Sequence, residues 1–196
     1  MKTIGLTGSI GMGKSVAASM FRRLGVPVFD SDASVRALTR RNGPALPAID
    51  AAFPGVVASG VLDRDSLGRQ VFGDAAALRR LEAILHPMVR LERRRFLGRA
   101  RRARRGLVVF DVPLLFETGG EDNCDVVLVV TAPAAIQRQR VLARSNMTPE
   151  KLAGILKRQT PDYAKRRRAD FVVPSSLGHR TTLLAIRRIV RMLSAQ

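Results

Sequence analysis

Cysteine is nearly absent. Cys124 is the only one in 196 residues, which excludes an intrachain disulfide and any cysteine-cluster metal site and is compatible with a reducing cytoplasm. Long apolar runs are missing as well: the start holds no uninterrupted apolar signal core, and the most hydrophobic stretch, "LVVFDVPLLF", is short and carries Asp111. Neither secretion nor membrane spanning is expected from such a pattern. Acidic residues are few, 16 against 34 basic ones, for a net charge of +18, a balance that favours polyanionic partners such as nucleotides or nucleic acid. Only five of the basic residues are lysine, and the arginines crowd into "RLERRRFLGRARRARRG" and "YAKRRRAD". Aromatic residues that could stack on bases are scarce there, Phe96 inside the first run and Tyr163 beside the second. A solvated helix side therefore accounts for the runs better than a nucleic-acid face, and nucleic-acid binding is expected only as an incidental effect of charge. The 46% hydrophobic content supports one well-cored unit with room for an inserted subdomain.

What the chain does have stands at its beginning. "MKTIGLTGSIGMGKS" leads an apolar run straight into three glycines in six residues, discarding side chains where packing would be expected, so the backbone itself must be needed there. Gly8, Gly13, Lys14 and Ser15 fit G-x-x-x-x-G-K-[ST], the P-loop spacing. In it amide N–H groups cradle phosphates, the lysine reaches the β- and γ-phosphates and the hydroxyl ligates Mg²⁺. Thr3 to Thr7 reads as a buried strand, and Val16, Met20, Phe21 and Leu24 are spaced as a helix face. The loop thus ends at a helix N-terminus, which attracts anions. The expected ATP contacts are Gly8, Ser9, Ile10, Gly11, Met12, Gly13, Lys14, Ser15 and Val16. A dinucleotide-binding G-x-G-x-x-G is excluded, because no glycine stands at position 16.

Four further segments read as strands, Val26 to Asp30, Leu107 to Asp111, Val126 to Thr131 and Asp170 to Val173. Most are apolar throughout, as buried parallel strands are. Alternation with helical patterns predicts an α/β fold with a five-stranded parallel sheet flanked by helices. The connection from Ser31 to Gly106 is too long for a simple crossover. It contains helical patterns at 34–41, 65–72 and 75–85 and a long basic helix at about 87–105, broken by the turns "NGP", "FPG" and "SGVLD". We read it as an inserted helical substrate domain over 32–105. The core is then 1–31 with 106–132 and 169–196, and a basic lid lies at 133–168. His179 to Leu193 spaces its apolar residues as a helix packing on the sheet.

In open parallel sheets ligands bind beyond the carboxyl ends of the strands. The first strand delivers the P-loop, the second Asp30 and Asp32, the third Asp111 followed by Glu117. A carboxylate after the neighbouring strand can accept the proton of an attacking hydroxyl while the loop holds the γ-phosphate. Asp32 suits that task, and it equally suits a helix N-cap. Asp111 ends an apolar strand where an acid can hold Mg²⁺ directly or through water, or can pair with an arginine. Arg140 and Arg144, four apart on the first lid helix, can both turn toward phosphate oxygens. His86 with Pro87 suits a turn and the start of the basic helix.

The set "LTGSIGMGKS", "LGVPVFDSD", "LDRDSLGRQVF", "LEAILHPMVR", "VVFDVPLLFE", "QRQRVLAR" and "ADFVV", in that order, resembles the dephospho-coenzyme A kinase family over nearly the whole chain. The resemblance implies transfer of the γ-phosphate of ATP, with Mg²⁺, to the ribose 3′-hydroxyl of dephospho-coenzyme A, the last step in making coenzyme A. It matches Asp32 to the catalytic carboxylate, His86 and Arg90 to the substrate-domain motif, Leu114, Leu115 and Glu117 to the stretch near the acceptor, and Arg140 to a lid arginine near the phosphates. The sequence departs from the family at "VPSSLG", which replaces the usual Asp-Asn pair after the last strand and leaves Ser175 or Ser176 as the alternative hydrogen-bonding group toward the adenine base. Ser9 and Met12 stand where the family has small residues; both are x positions whose backbone does the binding, so little effect is expected. The alternatives are another P-loop kinase of nucleosides or nucleotides, and a GTPase-like switch or nucleic-acid-binding ATPase. "DSLG" at Asp65 to Gly68 imitates a switch motif, but no N-K-x-D guanine signature occurs.

Overall fold

Runs that are apolar on both sides of the chain can be satisfied only by burial on both faces, and they form the sheet. The computed structural model describes residues 1–194; the last two of the core segment expected at 169–196 lie outside the described residues. Its strands are β1 (Lys2–Thr7), β2 (Val28–Asp30), β3 (Val57–Ala58), β4 (Val61–Leu62), β5 (Leu107–Asp111), β6 (Val126–Thr131) and β7 (Phe171–Pro174). Five of them make one sheet in the order β2-β5-β1-β6-β7, with β1 parallel to β5 and β6, and β6 parallel to β7. The helices are α1 (Lys14–Arg23), α2 (Ser31–Leu38), α3 (Leu46–Ala52), α4 (Arg64–Val71), α5 (Ala75–Arg102), α6 (Ala134–Leu142), α7 (Pro149–Arg158), α8 (Asp162–Arg167) and α9 (His179–Ser194). No helix among the described residues is long and apolar enough to cross a membrane.

The chain divides into two compact units. The first comprises Met1–Phe29 with the described residues from Ala100 on, the second Asp30–Arg99. In the first, alternate residues of β6 serve alternate layers, as the pleat requires. Leu128 and Val130 join Ile4, Leu6, Phe21 and Ile186 on the side of α1 and α9, while Val127 and Val129 meet Leu115 and Phe116 on the other. The second unit is helical around Leu38, Ile49, Phe53, Val56 and Leu67. "SGVLD", expected as a turn, closes the short antiparallel pair β3–β4. The two loop residues Ser59 and Gly60 both have positive φ, the geometry of a two-residue hairpin.

Two expectations are corrected here. The helices expected at 75–85 and 87–105 are one helix of 28 residues with Pro87 inside it. Proline removes a helical hydrogen bond. The helix nevertheless runs through, because Ile84 and Leu85 before it and Met88 and Val89 after it pack on the same cluster. His86 therefore sits mid-helix and does not open one. The basic run is largely exposed along α5, where Arg95 pairs with Glu92 at 2.8 Å.

Candidate active site

The phosphate loop is shaped by two glycine requirements. A Cβ on Gly8 would meet the carbonyl oxygen of Val130 at 2.6 Å, so the loop can leave β1 along β6 only without a side chain. Gly13 has φ +91°, a left-handed conformation open to glycine, and from it the chain turns into α1. Gly13 is the N-cap of α1 and offers no side-chain acceptor to the first-turn amides. The unpaired N–H groups and partial positive charge of a helix start are thus available to an anion. Ser15 and Val16 follow on exposed positions of the first turn, and Ser9 is buried.

The side of the loop away from α1 is held by side chains from the region between β6 and α9. The Ile10 N–H donates to Gln159 Oε1 at 3.1 Å, and Gln137 Nε2 donates to the Ile10 carbonyl at 2.8 Å. Ser175 Oγ donates to the Met12 carbonyl at 2.7 Å while accepting from Arg140 Nη1 at 2.8 Å, and Arg140 Nη2 donates to the Ser175 carbonyl at 2.8 Å. A long contact of 3.5 Å joins Arg140 Nη1 to the Gly11 carbonyl. Met12 is buried, and its sulfur accepts the Ala132 N–H at 3.1 Å. The curl of the loop is therefore built into the protein, which spares a ligand the cost of ordering it.

Lys14 Nζ forms an ion pair with Asp111 Oδ1, whose carboxylate is buried at the end of β5. This places the lysine, the Ser15 hydroxyl and one carboxylate in the same unit as the loop. Oxygen donors of that kind suit Mg²⁺, which keeps most of its shell as water and phosphate oxygen and takes only one or two protein ligands. Accordingly, a cluster of three His, Cys, Asp or Glu side chains is not required, and among the described residues none is formed.

Asp30, not Asp32, is the N-cap of α2, its Oδ1 accepting from the Ala33 N–H at 2.8 Å. Asp32 lies exposed in the first turn, with no hydrogen-bond or ion-pair partner among the described residues. The capping alternative for Asp32 is thereby removed. His86 and Arg90, one turn apart, share an exposed side of α5, away from the core residues of that helix.

Three expected positions take different places. Leu115 is only 1% exposed, packed with Phe116, Val127 and Val129, so its side chain has no surface left for an acceptor; Leu114 is exposed. Glu117 is tied inside the first unit: its Oε1 lies 2.9 Å from the fully buried Lys165 Nζ and accepts the Thr160 N–H at 2.7 Å. Burial acts to raise the Glu117 carboxyl, but the hydrogen bonds from Lys165 and Thr160 outweigh it and hold its pKa below the ordinary glutamate value. Helix α6 ends at Leu142, so Arg144 lies in the turn beyond it and not on the helix face that carries Arg140.

Sequence reasoning missed Gln137, Gln159 and Lys165, and it treated Met12 as a bystander. The one available signal was composition: glutamine at the start of the lid pattern and a lysine within an arginine run are polar residues whose positions periodicity does not explain.

Comparison with known proteins agrees with this architecture. The family model for dephospho-CoA kinase matches residues 2–179. A dephospho-CoA kinase of Paramagnetospirillum magneticum is 64% identical over 166 residues, 85% of this chain and 78% of that one. The enzyme of the same name from Mesorhizobium japonicum is 54% identical over 100% of this chain and 98% of its own. A solved Thermus thermophilus structure superposes with a TM-score of 0.84 at 36% identity, covering 97% of this chain and 96% of that one.

Proposed function

The chain belongs to the dephospho-CoA kinase family, and on that premise we propose how its own residues carry the reaction. It phosphorylates dephospho-coenzyme A with ATP, in coenzyme A biosynthesis. The bond that forms joins the γ-phosphorus to the ribose 3′-oxygen. The bond that breaks joins that phosphorus to the β–γ bridging oxygen, so coenzyme A and ADP leave and the hydroxyl proton must be accepted by a base.

The amides from Gly8 to Val16 bind the phosphates, with Lys14 on the γ-phosphate offsetting the charge that develops in transfer. Ser15 and Asp111 are the residues that would hold Mg²⁺, and the ion would supply positive charge against the phosphates. Asp32 takes the proton; the support is that Asp30 already caps α2, so capping does not account for the Asp32 carboxylate. Arg140 is held by Ser175 through both Nη1 and Nη2. A guanidinium has five N–H donors, so Nε and the second hydrogen of Nη2 remain for phosphate oxygens. Arg144, in the turn after α6, is the second arginine for that charge. His86, Arg90 and Leu114 face the acceptor, and the setting is the cytoplasm.

The observation that carries this reading is the pairing of Lys14 with Asp111 in the unit that holds the open N-terminus of α1. The test supplies purified protein with Mg²⁺, ATP and a panel of dephospho-coenzyme A, nucleosides and nucleotides. The expected product is coenzyme A, phosphorylated at the 3′-position. Phosphorylation of nucleosides but not of dephospho-coenzyme A would overturn the reading.

A further inference from the structure

A peptide plane followed by glycine has no strong preference for which way it faces. Turning it over changes ψ of the residue before it and φ of the residue after it, and glycine takes φ of either sign at little cost. The Ile10–Gly11 peptide is such a plane. Gly11 has φ +76°, a value that its own backbone does not enforce, so a contact from outside the loop has to choose the orientation. A Cβ on Gly11 would meet Val141 Cγ2 at 2.5 Å and the Gln137 carbonyl at 3.1 Å. Helix α6 thus lies directly against the loop at this point.

Gln137 makes the contact. It is buried, and its Nε2 donates to the Ile10 carbonyl at 2.8 Å. Only the nitrogen of a glutamine side chain can donate to a carbonyl, which fixes how the side-chain amide lies. The peptide is trans, so its carbonyl and the following N–H point in opposite directions. Drawing the Ile10 carbonyl toward α6 therefore turns the Gly11 N–H away from α6, and that N–H has no protein acceptor among the described residues. Ser175 draws off the Met12 carbonyl in the same way, and the Gly13 N–H that follows it likewise has no protein acceptor among them. The plane on the other side of Ile10 is held twice. Its N–H donates to Gln159 Oε1 at 3.1 Å, and its Ser9 carbonyl accepts the Met12 N–H at 3.1 Å. Among the described residues the Ile10–Gly11 plane has Gln137 alone.

We propose that Gln137 is the positioning residue that sets the Ile10–Gly11 peptide with its N–H toward the nucleotide phosphates, a role that rests on the reading of the loop as an ATP site. Turned over, the same peptide would present the Ile10 carbonyl oxygen where successive N–H groups form an anion cradle, and would replace attraction to a phosphate oxygen by repulsion. Gln137 stands three residues before Arg140 in α6, on the same side of the helix. One turn of α6 thereby orients the backbone of the cradle and carries the guanidinium beside it.

The experiment measures binding of ADP with Mg²⁺ by titration calorimetry, with no acceptor present. Gln137→Met keeps the length of the side chain and removes the donor, and its Kd for ADP rises about tenfold. Gln159→Met removes a contact that the Ser9–Met12 hydrogen bond backs up, and its Kd stays within about threefold of wild type. Gln137→Glu and Gln159→Glu add the same charge beside Ile10. A carboxylate at 159 still accepts the Ile10 N–H, whereas one at 137 cannot donate to the carbonyl and accepts the Gly11 N–H only when the peptide turns over. The Kd is therefore about tenfold or more higher in Gln137→Glu than in Gln159→Glu. Equal Kd values in the two methionine variants, raised or not, would reduce Gln137 to general support of the loop and overturn the proposal. Equal losses in the two glutamate variants would assign the effect to added charge and overturn it as well. Should a glutamate variant fail to fold by circular dichroism, the methionine pair decides. A wild-type protein that binds no ADP would instead remove the reading on which the proposal rests.

Discussion

Gly13 and Gly68 stand in two regions where glycine serves opposite ends. Gly13 is demanded by its own backbone, at φ +91° before α1, and the groups it helps to present are amides of consecutive residues. Gly68 has an ordinary helical backbone and open space beside it, in a cavity whose walls come from α2, α3, β4, α4 and α5. In the first region, side chains hold the loop by its backbone. In the second, side chains line the open space. A cradle of neighbouring amides is contiguous in sequence, because one loop builds it. A side-chain site has no such constraint.

The contrast can be broken first at the phosphate loop. Lys14→Ala is expected to lower turnover by about 10³-fold or more, because few other fixed charges can stand at the transferring phosphoryl group. Steady-state assays of the folded variant check this, and activity within about tenfold of wild type would detach the loop from the chemistry. Asp32→Asn keeps shape and removes the basic site, with an expected turnover loss on the order of 10²–10⁴ and nucleotide still bound. Turnover within a few-fold of wild type would return Asp32 to the helix surface.

Smaller effects test how the loop is held. Ser175→Ala removes the hydroxyl that joins Arg140 to the Met12 carbonyl. Hydrogen bonds to charged groups are worth about 1.5–3 kcal/mol, so a fall in kcat of roughly tenfold is expected, recovered in Ser175→Thr. A rise in the KM for ATP at constant kcat would assign the serine to ground-state binding instead. The smallest effect on activity is expected from Glu117, whose work is structural. Its folded pKa lies below the ordinary glutamate value. Its contribution to stability is therefore present above that ordinary value of about 4.3 and is lost as pH falls through the folded one. The urea-midpoint gap between wild type and Glu117→Gln should narrow from about pH 6 to about pH 3, and a constant gap would mean that the carboxylate charge is not what holds Lys165.

The sequence by itself determined the sheet and the loop. Val126 to Val130 and Leu107 to Phe110 are apolar throughout, a pattern that suits strands covered on both faces, and the glycines and lysine of the loop sit at spacings that the backbone of one loop dictates. The tertiary structure alone decided that Pro87 lies inside a helix, because apolar residues on both sides share one core cluster. It also decided that Asp30 and not Asp32 caps α2, since two aspartates two residues apart are equal candidates until the helix start is set. Above all it decided that Gln137, Gln159 and Ser175 meet at the loop. These residues lie about 130 to 165 positions from their partners, and local periodicity holds no information about a hydrogen bond that only the folded sheet brings into reach.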